Sequence, residues 1–130
     1  HPTEIQATLK AAKEWYKDRR IIAVFQPHTY SRTNMLLCEF SKSFQDADVV
    51  LLTDIYPSAR EKETLGLTGQ TLVSETVKHH SNVSYGKTKE DVLGKLDDFI
   101  TSNDVIIFMG AGDIYTWGRE YLDRSISNNQ

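Results

Sequence analysis

Three side chains suited to holding and orienting a small anion fall within five residues of one another: His28, Tyr30 and Arg32. Arginine offers a planar fork of N–H donors matched to a carboxylate or a phosphate. A histidine beside it adds a contact that titrates near neutral pH and can orient a ligand. A solvated loop in which Arg32 pairs with a nearby carboxylate would use the same residues, and residue type leaves both readings open. The surrounding run, Ala23-Val24-Phe25-Gln26-Pro27-His28-Thr29-Tyr30-Ser31-Arg32-Thr33, reads as a buried strand, a polar loop carrying the three residues, and a helix start. Pro27 stiffens that loop, because proline fixes its own φ and restricts its predecessor. In an open α/β sheet, ligands bind past the carboxyl ends of strands and beside helix starts.

A second junction of this kind is Val105-Ile106-Ile107-Phe108-Met109, read as a buried strand, followed by Gly110-Ala111-Gly112-Asp113. Glycines there let the backbone turn sharply and come close to a ligand. The alternative is a tight turn without a ligand, with Asp113 capping the helix that follows. The string is a poor dinucleotide fingerprint: Tyr115 replaces the third glycine of G-x-G-x-x-G, and no acidic residue follows ~20 positions on at the end of a second strand. Asp54 closes another strand. Its carboxylate could receive an ammonium group or hold a metal through water, or it could open the next loop by an Asx turn. The mixed run Arg60-Glu61-Lys62-Glu63 reads as solvated loop. His79-His80 reads as a helix end, since adjacent histidines on a helix diverge too far to share a metal. Cys38 is a lone cysteine among Leu36, Leu37 and Phe40 and is expected in the core.

The elements that position these residues follow from periodicity. Residues 3–16 carry Ile5, Leu9, Ala12 and Trp15/Tyr16 at helical spacing behind Pro2. Residues 21–25 and 49–53 are apolar runs expected of strands covered on both faces. A single helix is expected over 33–44, starting at Ser31 or Arg32-Thr33, with Leu36, Leu37, Phe40 and Phe44 inward. A long loop over 54–68 precedes a helix from Thr68 or Gly69 to Lys78, with Leu72, Val73, Thr76 and Val77 inward. A short strand covers 82–85. Thr88 and Asp91 give a helix start signal, a helix follows, then the strand 105–109 and a last helix over about 114–123. The tail 125–130 is expected to fray. Strands separated by helices imply right-handed crossovers and a mostly parallel sheet in a three-layer α/β/α sandwich. Loops after the strands then gather on one edge.

The chain has 130 residues, 15 Lys and Arg against 18 Asp and Glu, and a formal charge of −3. That size suits one domain over 1–130. The charge argues against nucleic acid, which requires a basic stripe. No apolar run approaches the ~18 residues of a membrane span. The chain opens with His1-Pro2 and no initiator methionine, as expected of a fragment or a processed chain, so the lack of a visible signal peptide carries little weight. No P-loop, nucleophile elbow or metal-ligand spacing is present. A phosphoacceptor receiver domain would place two acidic residues after the first strand, where this chain has Gln26-Pro27-His28.

Taken together, His1-Pro2-Thr3-Glu4, Phe25 to Thr33, Asp54-Ile55-Tyr56 and Met109-Gly110-Ala111-Gly112-Asp113-Ile114 resemble the C-terminal domain of the bacterial Mur ligases, in the alanine-adding branch of that family. The resemblance spans essentially the whole chain, with its motifs in order. It implies a Rossmann-like closing domain of a cytoplasmic, ATP-dependent enzyme of peptidoglycan precursor synthesis. The whole enzyme would join L-alanine to UDP-N-acetylmuramate through an acyl phosphate. A first domain would hold the UDP-sugar, and a central one would hold ATP and Mg; both lie outside this chain. No catalytic residue and no metal ligand is then expected here, and the chain alone is expected to be inactive. His28 and Arg32 match the family's H-x-x-x-R and would seat the alanine carboxylate, with Tyr30 between them. Asp54, Gly110, Gly112 and Asp113 would line the rest of the cleft, and His1 would lie near the nucleotide. Thr29 departs from the pattern, since many members carry arginine there. Two alternatives stay open: a stand-alone nucleotide- or anion-binding module, or a Mur ligase adding a different amino acid.

Overall fold

The apolar runs become the middle of the sheet. In the computed structural model, which describes residues 1–128, β1 (Ile21–Gln26) and β2 (Val49–Thr53) are buried at every position. Around them lie α1 (Pro2–Trp15), α2 (Tyr30–Met35), α3 (Leu37–Ser41), α4 (Gly69–Thr76), β3 (Val83–Gly86), α5 (Lys89–Phe99), β4 (Val105–Gly110) and α6 (Tyr115–Asn128). The sheet order is β3-β2-β1-β4 and every pairing is parallel. Strand β4, expected buried, is half-buried because it forms an edge.

Alternation along β1 builds two cores, because successive side chains leave a strand on opposite faces. Ala23 and Phe25 pack with Ile5 and Leu9 of α1, with Phe40 and Phe44, and with Leu72 of α4. Ile22 and Val24 pack with Val92 and Leu96 of α5 and with Ile114, Trp117 and Tyr121. The result is the three-layer sandwich. The chain walks from β1 to β2 to β3 on one side, then returns to place β4 on the other side of β1. The carboxyl ends of β1 and β4 therefore flank a topological switch point, the place where open α/β sheets bind ligands.

Several expectations need correction. Trp15 is 81% exposed, because the stripe of Ile5, Leu9 and Ala12 continues through position 16, and Tyr16 rather than Trp15 packs on the core. The helix expected over 33–44 starts earlier and breaks: Thr29 is the N-cap of α2, and Leu36 leaves helical geometry at φ −110° and ψ 20° before α3. Tyr30 and Arg32 thus sit in the first turn of a helix rather than on a loop. Cys38 is exposed, since the break turns it outward while Phe40 keeps the core position. Helix α4 ends at Thr76, and Val77 is 52% exposed. Thr88 and Asp91 form the expected capping box on α5. Helix α6 continues to Asn128, through part of the tail expected to fray, and 129–130 lie outside the described residues.

The amino-terminal edge of the sheet is pinned by ionic and polar bonds. Arg20 donates to both Asp104 carboxylate oxygens, at 3.0 and 2.6 Å, and to the Phe99 carbonyl at 2.8 Å. Those donors hold the Asp104 carboxyl below the usual carboxylate range, Arg20 being the largest cause. Asp48 accepts from the Ile21 N–H at 2.7 Å. His80 accepts from the Asn82 N–H through Nδ1, so its Nε2 proton goes to the Ala47 carbonyl at 2.7 Å.

Candidate functional site

A cavity of about 340 Å³ opens at the switch point. Its floor is apolar, from Ile5, Phe25, Phe40 and Met109, and its rim is polar, from His1, Glu4, Gln26, His28 and Arg32. Four of the residues expected at a site meet here: His1, His28, Arg32 and Gly110. A shallower groove continues over His1, His28 and Arg32 toward Met35 and Leu36.

Each of these is positioned by a local device. Residue 1 caps α1: His1 Nδ1 accepts from the Thr3 N–H at 3.2 Å, which leaves the Nε2 edge for other contacts. His28 forms a one-residue parallel bridge with Tyr56 beyond the strand ends, and the two rings lie 5.9 Å apart. That bridge consists of Thr29 N–H to the Tyr56 carbonyl, 2.9 Å, and Tyr56 N–H to the Pro27 carbonyl, 2.8 Å. Arg32 follows one turn later. Its guanidinium is exposed and, among the described residues, makes no hydrogen bond or ion pair. The local-carboxylate alternative for Arg32 therefore has no support in the geometry.

Thr29 holds φ +65°, a region that L-residues, above all β-branched ones, seldom adopt. Its polar groups compensate. The side-chain oxygen accepts from the Arg32 N–H, and the carbonyl accepts from Thr33 Oγ1 at 2.7 Å. The strain sits between the two binding candidates, as strain at functional sites commonly does. It sets the direction in which His28 and Arg32 leave the strand end.

The remaining expected residues lie outside the cavity. Tyr30 lines neither opening; its N–H donates to Glu61 at 2.9 Å. Asp54 Oδ1 accepts from the Gly69 N–H at 2.7 Å and so caps α4. Burial, with the Asp54 carboxylate beside it, pushes the Tyr85 phenol up to about 12. Asp113 contributes its carbonyl to the Thr116 N–H and hydroxyl. Gly112 packs against Gln26 and Tyr56, where a Cβ would stand 2.8 Å from Gln26 Oε1 and 2.9 Å from the tyrosine ring. Gly110 is equally tight, with a Cβ 2.9 Å from the Gln26 carbonyl.

Two residues carry weight that their types did not reveal. Glu61 accepts from the N–H groups of Tyr30 and Ser31 and from the Ser31 hydroxyl, each at 2.9 Å. Those bonds, Ser31's first, hold its carboxyl below the ordinary value. It clamps the long loop onto the start of α2, and nothing local in Arg60-Glu61-Lys62-Glu63 marks it. Gln26 is 7% exposed, and its Oε1 has no partner. A buried acceptor left unpaired costs about 1–3 kcal/mol, so an amide at the last position of an otherwise apolar strand was the available signal. Among the described residues no group of three or more His, Cys, Asp or Glu stands together to hold a metal. What the arrangement offers a ligand is a guanidinium without a partner among the described residues and two imidazoles over an apolar floor, groups suited to a carboxylate or a phosphate.

The family model described as "Mur ligase, glutamate ligase domain" matches residues 1–112. UDP-N-acetylmuramate–L-alanine ligase of Brachyspira hyodysenteriae is 47% identical over 128 residues, which are 98% of this chain and 27% of that protein. The enzyme of the same name from Salinibacter ruber is 44% identical over 124 residues, 95% of this chain and 26% of the relative. In solved structures, UDP-N-acetylmuramate–alanine ligase of Thermotoga maritima superposes with a TM-score of 0.77 at 26% identity, over 98% of this chain and 25% of that one. The chain thus spans about a quarter of the length of the curated relatives it matches.

Proposed function

This chain belongs to the Mur ligase family, and we propose that it is the C-terminal, amino-acid-binding and closing domain of a cytoplasmic ligase joining L-alanine to UDP-N-acetylmuramate. The observation that carries the reading is Arg32, without a partner among the described residues, lining with His28 the cavity at the switch point over an apolar floor. Relatives over nearly the whole chain bear the alanine-adding name, which supports alanine over another amino acid. ATP, which Mur ligases require, supplies the phosphoryl group that activates the muramyl carboxyl. ATP and Mg are proposed to be held mainly by a central domain outside this chain; among the described residues no group of three or more His, Cys, Asp or Glu stands together. His1, lining the cavity with no partner on Nε2 among the described residues, is this chain's contact toward the nucleotide.

The chain's own work is then to hold the nucleophile. Arg32 binds the alanine carboxylate by a charge-assisted fork. His28, fixed by Tyr56, orients the amino acid against the reacting carbon. The apolar floor takes the methyl group. Closure of this surface over the other domains excludes water, which would otherwise consume the activated carboxyl.

The test is alanine-dependent phosphate release by the full-length ligase, wild type against Arg32→Ala. Loss of a charge-assisted contact costs about 1.5–3 kcal/mol, a ten- to hundredfold fall in alanine kcat/KM, with the KM for ATP little changed. Unaltered alanine kinetics would remove Arg32 from the site. Alanine or phosphate bound tightly by this chain alone would favour a stand-alone binding module instead.

A further inference from the structure

The cavity at the switch point carries two opposite charges that do not meet. Arg32 lines it from α2, and Glu4 lines it from the first turn of α1. Glu4 is the acidic side chain among the lining residues, and among the described residues it forms no ion pair with Arg32. We infer that the Glu4 carboxylate binds the ammonium group of an α-amino acid whose carboxylate is held by Arg32. This rests on the proposed amino-acid site and adds the recognition of its second charged group.

Helix geometry places Glu4 on the cavity side of α1. Side chains three and four apart share one helix face, and the α1 residues that border the cavity are His1, Glu4, Ile5 and Thr8. The other flank, with Thr3, Gln6 and Lys10, borders a separate depression. An acid in the first turn complements the helix dipole from any flank, so the dipole accounts for the charge and not for the side it faces. Among the described residues the cation paired with Glu4 is the amino group of residue 1, 3.9 Å from Oε2. That group is an α-ammonium, the same group that an amino-acid ligand presents. In the proposed full-length ligase residue 1 follows another residue and its nitrogen is an uncharged amide, which leaves Glu4 without a charged partner among the described residues. A guanidinium donates and cannot accept, and an ionised carboxylate accepts and cannot donate. A zwitterion satisfies both, whereas a plain carboxylate or a phosphate satisfies Arg32 alone. A carboxylate is a far weaker base than an amine, so the role assigned to Glu4 is to hold and orient the ammonium group, not to deprotonate it.

The experiment compares Glu4→Gln with wild type in the full-length ligase, using alanine as substrate and propionate, which keeps the carboxylate and lacks the amine, as competitor. The expected result is a roughly tenfold rise in alanine KM, the low end for a charge-assisted bond because the Glu4 side chain is 85% exposed. Inhibition by propionate, the KM for ATP and Tm should stay as in wild type, whereas Arg32→Ala weakens alanine and propionate together. Unchanged alanine KM in Glu4→Gln, with Arg32→Ala still impaired, overturns the Glu4 assignment and leaves the amino-acid site standing. Unchanged KM in both variants overturns the site itself. Propionate weakened as much as alanine, a KM for ATP raised as much as that for alanine, or a Tm several degrees below wild type assigns Glu4 to the nucleotide or to the stability of α1 and overturns the inference.

Discussion

At the amino-terminal edge of the sheet Arg20 meets both oxygens of an Asp104 side chain that is 2% exposed. At the carboxyl-terminal edge, a strand length away, Arg32 meets nothing among the described residues. The histidines repeat the contrast: His80 uses both ring nitrogens on the backbone, whereas His28 rests against the Tyr56 ring. So do the buried acceptors, since Asp48 holds the Ile21 N–H and Gln26 Oε1 holds none. Polar groups with partners contribute to folding, because the folded chain alone satisfies them. Polar groups held in place without partners leave that free energy to a ligand. One edge of this sheet is anchored by paired polar groups, and the other carries the groups proposed to bind.

The largest test is at the anchored edge. Asp104→Ala leaves Arg20 and the Thr101 N–H without their acceptor, and for a pair with Asp104 buried but Arg20 37% exposed losing these charge-assisted bonds costs about 1.5–3 kcal/mol. Calorimetry should show Tm lower by roughly 5–10 °C for a chain of this size, with alanine kcat/KM kept below the transition. A change below about 1 kcal/mol would rank the pair with ordinary surface bridges. The pH dependence has a definite sign. The folded Asp104 carboxyl lies below its unfolded value, so its stabilisation is complete above ~4. It is lost as pH falls from there through the depressed folded value. Urea midpoints should therefore fall between neutral and acid pH in wild type and fall less steeply in Asp104→Asn.

Arg32→Ala should behave in the opposite way, impairing alanine kinetics while Tm stays within a degree or so of wild type, an exposed unpaired side chain being within about 0.5 kcal/mol of neutral. Combined with Asp104→Ala, the effects on Tm should add, because the sites share no partner. A smaller effect is expected for Gly112→Ala. Its methyl would press on the Gln26 amide and the Tyr56 ring, an overpacking cost of about 1 kcal/mol, read as a lower Tm with alanine KM little changed. The smallest is Glu61→Gln, which keeps an acceptor over the start of α2 but removes the charge. Alanine KM should rise severalfold with Tm little moved. An unchanged KM would show that the loop clamp does not steer Arg32.

Much of the architecture was legible along the chain. The runs 21–25 and 49–53 could only be covered strands, and the helices between strands required parallel crossovers. Thr88 with Asp91 announced α5. Less legible were features that depend on neighbours. Leu36 reads as part of an unbroken helix until Thr29, fixed by Tyr56, starts α2 early and turns Cys38 outward. Asp54 reads as a cleft carboxylate until Gly69 is found against the end of β2, its N–H on Oδ1.

Sequence alone determined the α/β class, the two buried strands, and the residue types at the cleft, because apolar periodicity and turn chemistry are local properties. Motifs in register also determined the family resemblance. Tertiary structure decided which side chains share one cavity. His1, Gln26, His28, Arg32 and Gly110 meet there because β4 returns beside β1, and strand order is a matter of global packing that no short segment encodes. It also decided which polar groups remain without partners. Whether Glu61 is solvated or clamps α2, and whether Gln26 is exposed or covered, depends on groups up to thirty-one and eighty-six residues away.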